Sequence, residues 1–98
     1  MTLRTTLKLK QALLEKLDEQ YPSVVSIAQQ NIEKGRQRLS SEIELQYLDD
    51  WSSALSEKTA LARMIEDTSV EGLSAWQVAP FAGVFTPKER WLILRNPE

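Results

Sequence analysis

The stretch TLKLKQALLEKLDEQ, Thr6 to Gln20, decides the fold class, because its first five residues alternate like a strand while the whole repeats like a helix. TLKLK, residues 6 to 10, is the only strand candidate in the chain. Beyond it, Leu7, Leu13, Leu14 and Leu17 recur at spacings of three, four and seven, with Ala12 alongside. Lys10, Glu15, Lys16, Asp18 and Glu19 fill much of the remainder, so the period is that of an amphipathic helix of about four turns. The spacing predicts a helix over 7–20.

The same period continues outward. Tyr21-Pro22 interrupts the first helix, since proline lacks the N–H that a helical ladder needs and restricts the residue before it. Ser23 then caps a second helix, over 23–35, striped by Val24, Ile27, Ala28 and Ile32 and ended by Gly35, although EKGRQRL keeps helical composition on both sides of that glycine. Ser41 and Glu44 stand at capping-box spacing before Leu45, Leu48, Trp51 and Leu55, predicting a helix over 41–55. Ser56 caps another through Leu61, Met64 and Ile65, over 57–67, or the preceding helix bends there and continues. Residues 68–85 carry one charge, Glu71, and read as an irregular packed segment with room for a short helix from Ser74 through Val78. Thr86, Pro87 and Glu89 form a second capping box, opening a helix over 87–95 within a capped terminal segment, 86–98. The reading is an all-α, single-domain bundle of four to five helices spanning residues 1–98. Its core draws on Leu13, Leu14, Leu17, Ile27, Leu48, Leu55, Leu61, Ile65, Trp76, Phe81 and Trp91.

Composition narrows the function. Hydrophobic residues make up 42% and charged residues 27%, the balance of a globular chain rather than a disordered one. Cys and His are both absent, which removes thiol nucleophiles, disulfides, imidazole triads and most zinc sites. The glycines, Gly35, Gly72 and Gly83, are isolated and form no phosphate-binding loop. The carboxylate pairs Glu42/Glu44, Asp49/Asp50 and Glu66/Asp67 read as solvated helix faces. The expectation is a protein that is no enzyme and needs no cofactor, metal or small-molecule substrate. No apolar run approaches membrane-spanning length, and the polar start MTLRTTLKLKQ lacks the pattern of a signal peptide, so a cytoplasmic location is expected.

The net charge of −2 conceals an asymmetry, with +3 over residues 1–38 and −5 over residues 39–98. Lys34, Arg36 and Arg38 are the densest basic cluster and the candidate contact for a nucleic acid, in a DNA-binding regulator. Glu33 beside them and the acidic stretch after them favour a solubilising turn, and nucleic acid is not the expected partner.

A ten-residue helix cannot stand alone in water, so the terminal helix must dock on its own domain or on a partner. Phe85, Arg90, Trp91 and Arg95 bring to it the residue types that anchor protein pairs, and they are the candidate interface; the rival reading is that the aromatic groups only staple the helix to the core. The segment PFAGVFTPKERWLIL, Pro80 to Leu94, following LQYLDDWSSAL, resembles the end of small all-helical bacterial proteins encoded beside toxins or other partners. That resemblance implies an accessory, antitoxin-like protein whose partner is another protein. A homodimer or a purely structural homo-oligomeric module remains an alternative.

Overall fold

A computed structural model describes residues 3–95. Its first helix, α1, runs from Leu3 to Arg38 and bends at Gln20, where φ −137° and ψ 45° leave the helical region. The bend has a covalent cause, since Pro22 can donate no hydrogen bond and its ring crowds the carbonyl one turn back. The expected break is thus present, but the two predicted helices form one bent element. Ser23 lies within α1 rather than capping a new helix. The alternating TLKLK is helical throughout.

Four shorter helices follow: α2 (Glu42–Ala54), α3 (Lys58–Glu66), α4 (Val70–Trp76) and α5 (Pro87–Arg95). No strand occurs among the described residues. Helix α1 is the spine, packing on α2, α3 and α5, while α2, α3 and α4 contact one another. The radius of gyration is 12.9 Å, close to the ~13 Å of a single compact domain of this length.

Local signals explain several boundaries. Ser41 Oγ accepts a hydrogen bond from the Glu44 amide at 3.4 Å, as the capping box requires. Helix α4 begins earlier than expected, at Val70 instead of Ser74, because Ser69 Oγ accepts the Gly72 amide at 3.1 Å and the Asp67 carboxylate accepts the Ser69 amide at 2.9 Å. Segment 68–85 is therefore not irregular throughout. The cap of α3 is Glu57, without a side-chain hydrogen bond; Ser56 Oγ instead donates back to the Ser53 carbonyl at 3.0 Å. Helix α1 passes Gly35 and ends one turn later, with Gly35 buried against Leu48 of α2.

The core gathers Leu13, Leu17, Val24, Ala28 and Ile32 from α1, Leu48, Trp51 and Leu55 from α2 and its end, Leu61 and Ile65 from α3, and Phe81 and Val84 beyond α4. Trp51 is fully enclosed and meets Phe81 edge-on at 5.3 Å between ring centroids. Leu14, Ile27 and Trp76 are half-buried at the core margin. The expected core residue Trp91 lies outside it, with 58% of its surface exposed.

Side chains also close the helix ends. Each helix leaves its last carbonyls without intrahelical partners, and burial of an unpaired carbonyl is costly. Tyr21 Oη donates to the Leu55 carbonyl at 2.6 Å, past the end of α2. Lys10 Nζ donates to the Ile65 and Asp67 carbonyls at 2.9 Å each, at the end of α3. Trp51 Nε1 donates to the Ala75 carbonyl at 2.9 Å, in the last turn of α4. Asn31 Nδ2 holds the Pro80 and Ala82 carbonyls at 2.9 and 2.8 Å. Three of these four donors sit on α1, so the spine orders the short elements by polar contacts as well as by apolar packing.

Candidate interaction surface on helix α5

The Thr86 cap forms as the sequence predicts: Thr86 Oγ1 accepts the Glu89 amide at 3.1 Å, and Glu89 Oε1 accepts the Thr86 amide at 2.9 Å. The second oxygen of the same carboxylate accepts from Lys16 Nζ at 2.8 Å. Glu89 therefore begins α5 and ties it to α1 with one side chain. The Lys16 hydrogen bond, supported by the Thr86 amide, holds the Glu89 carboxyl below its ordinary pKa. Lys16 Nζ also stands 5.6 Å from the Phe85 ring centroid.

Helix α5 contributes no buried residue. Glu89 and Ile93, four residues apart, turn toward α1: Glu89 through its Lys16 contact, and Ile93 at the edge of a groove shared with Leu7, Gln11 and Ala12. Trp91, midway between them in sequence, is carried to the outer side. The Arg95 guanidinium stacks 4.5 Å from the Trp91 ring centroid, one turn along. Pro87, Arg90, Trp91, Leu94 and Arg95 line a shallow outward groove of about 490 Å³. Leu92, 48% exposed, adds apolar surface to the same short helix.

The structure thus unites three of the four candidate interface residues, Arg90, Trp91 and Arg95. Phe85 separates from them: it is half-buried, packs against the core, and lines a different cleft that Arg90 also borders. The basic cluster divides as well. Arg36 forms an ion pair with Asp49 of α2, while Lys34 and Arg38 border a small depression beside Gly35 and Pro80.

Lys10 is the principal polar residue that the sequence reading passed over. It is 3% exposed and lies 4.8 Å from the Trp76 ring centroid. Its spacing of three and seven residues from Leu13 and Leu17 places it on the buried face, and that spacing was the available signal. Burial pushes the Lys10 ammonium below its ordinary pKa, partly opposed by the nearby Asp67 carboxylate.

Among the described residues, no group of three or more acidic side chains is arranged to hold a metal ion, and no helix is long and apolar enough to cross a membrane. No family model matches the chain, and comparison with curated proteins and with solved structures produced no match.

Proposed function

We propose that this chain is an accessory protein that binds another protein through the outer face of α5. The observation that carries the reading is the outward placement of Trp91, 58% exposed on a helix that is already anchored through Glu89 and Lys16. An intramolecular staple would direct its largest apolar group inward. Here that group is held outside beneath the Arg95 guanidinium. Interfaces draw much of their energy from central Trp and Arg side chains, and both meet in this groove.

Lys88, Arg90 and Arg95 make the face basic, because the acidic residue of the helix, Glu89, is engaged with Lys16. The complementary partner presents an acidic surface around an apolar group. The resemblance of Pro80 to Leu94 to antitoxin-like proteins makes a toxin encoded nearby the first partner to test. A second copy of the chain is the alternative occupant.

The test compares tagged wild-type protein with a Trp91→Ala/Arg95→Ala variant. Both are checked for the same thermal transition, used to capture partners from the native cell, and measured by light scattering. Loss of one specific partner, or of a dimer, with folding intact supports the reading. Identical partners and an identical oligomeric state in the variant would sink it.

A further inference from the structure

On the opposite side of Arg90 from the outward groove lies a second concavity, of about 430 Å³, between the first half of α1, the segment following α4, and α5. Leu9 and Leu13 of α1 and the rings of Trp76, Phe81 and Phe85 supply its apolar lining, and among the described residues Arg90 is the single charged one that lines it. Thr6 and Gln77 add neutral polar groups, and none of the described carboxylates lines it. Two of the rings also have an ammonium close by, Lys10 at 4.8 Å from Trp76 and Lys16 at 5.6 Å from Phe85. The volume falls within the range of small-molecule sites, and the lining is about half polar, with the rings forming its apolar wall.

We propose that this cleft binds a small aromatic carboxylate. The rings accept a planar apolar body edge-on or offset, and the guanidinium offers paired N–H donors that match a carboxylate. The charge at the cleft selects the sign: Arg90 is the one charged group among the described lining residues, and the nearby Lys16 and Glu89 offset each other as an ion pair. A cationic ligand would meet Arg90 with none of the described carboxylates in the lining to offset it, and a neutral one would leave the guanidinium unused. Arg90 borders both the cleft and the outward groove, while Trp91 and Arg95, which carry the partner reading, do not line the cleft, so variants at those two positions separate this inference from that one.

The probe is 1-naphthoate, with neutral 1-naphthamide as its isostere, titrated into the intact chain and followed by calorimetry and by amide shifts in two-dimensional NMR. Saturable naphthoate binding is expected, with the largest shifts at Thr6, Gln77 and Ala82. Naphthamide should bind about tenfold more weakly or worse, the loss expected when a charge-assisted hydrogen bond is removed. Arg90→Leu should weaken naphthoate by a similar factor, and Arg90→Lys should recover part of it. Trp91→Ala and Lys88→Gln should leave naphthoate affinity within about twofold, as changes outside the lining should. If Arg90→Leu alters the thermal transition, Arg90→Gln replaces it. The proposal is overturned by absence of saturable binding below millimolar concentration, by shifts confined to another surface, by equal affinity for naphthamide, or by indifference to Arg90.

Discussion

Lys10 Nζ lies 2.9 Å from the carbonyl oxygen of Ile65, joining the first turns of α1 to the last turn of α3 across 55 residues of sequence. The same ammonium reaches the Asp67 carbonyl at 2.9 Å, so one cation closes a helix terminus where the helix dipole is negative. Replacing Lys10 with Met keeps the apolar stem and leaves both carbonyls without this donor. A loss of about 1–3 kcal/mol is expected in urea unfolding. The burial-lowered pKa of Lys10 adds a signature in alkali. With the folded-state value below the reference 10.5, the unfolded state binds more protons between the two values, so this residue's contribution to stability rises with pH through that window. Wild type should therefore gain stability relative to Lys10→Met as pH climbs toward 10.5.

Glu89 makes the opposite prediction in acid. Its folded-state pKa is depressed below the reference 4.5, so its stabilisation is present above that value and is lost as pH falls through the folded value. Protonation removes the charge that holds Lys16 and weakens the cap on α5. Amide hydrogen exchange across Lys88–Arg95 should accelerate in this acid range before exchange in α2 and α3 does. Glu89→Gln should show fast α5 exchange already at neutral pH, with little further change on acidification.

The glycines should respond unequally to alanine. A Cβ on Gly72 would stand 2.5 Å from the Asp67 carbonyl oxygen, a backbone atom that cannot move without opening the α3–α4 turn. Gly72→Ala should cost about 1–3 kcal/mol, the usual range for overpacking. A Cβ on Gly35 would meet Leu48 Cδ1 at 2.8 Å, the far end of a side chain that has other rotamers. The gain in helix propensity, about 1 kcal/mol, offsets much of that adjustment, so Gly35→Ala should be near neutral. Denaturant midpoints of the two variants check the contrast.

Trp51 and Trp91 provide the sharpest comparison. Trp51 is fully enclosed and donates to Ala75, so Trp51→Ala should cost about 3–5 kcal/mol and loosen α4. Trp91 is mostly exposed, and Trp91→Ala should change stability by about 0.5 kcal/mol or less. A large loss at Trp91 in the monomer would place it in an intramolecular core and remove the basis for the partner surface.

The helical class, the break before Pro22 and the caps at Ser41 and Thr86 were legible in the chain because each arises over a few residues. Proline's missing donor acts within one turn, a cap reaches three residues forward, and a stripe of leucines repeats every three or four. The Ser69 cap of α4 is equally local, but its residues were obscured by the glycines and by the uncharged texture of 68–85. The alternation in TLKLK could not survive as a strand, since none of the described residues supplies an edge for it to pair with, whereas Leu9, Leu13 and Leu17 share a helix face that the core covers.

Tertiary packing alone decided which aromatic residues were enclosed. Trp51 and Trp91 both follow apolar periodicity on capped helices, yet α2 lies between α1, α3 and α4 while α5 touches only α1. Burial depends on how many elements surround a face, and no local spacing encodes that number. The same reason hid the roles of Lys10, Tyr21 and Asn31, whose acceptors lie 34 to 57 residues away in sequence. Local sequence determined where helices begin, bend and end; the meeting of distant helix ends determined which polar groups close the fold, and it left the outer face of α5 open to solvent.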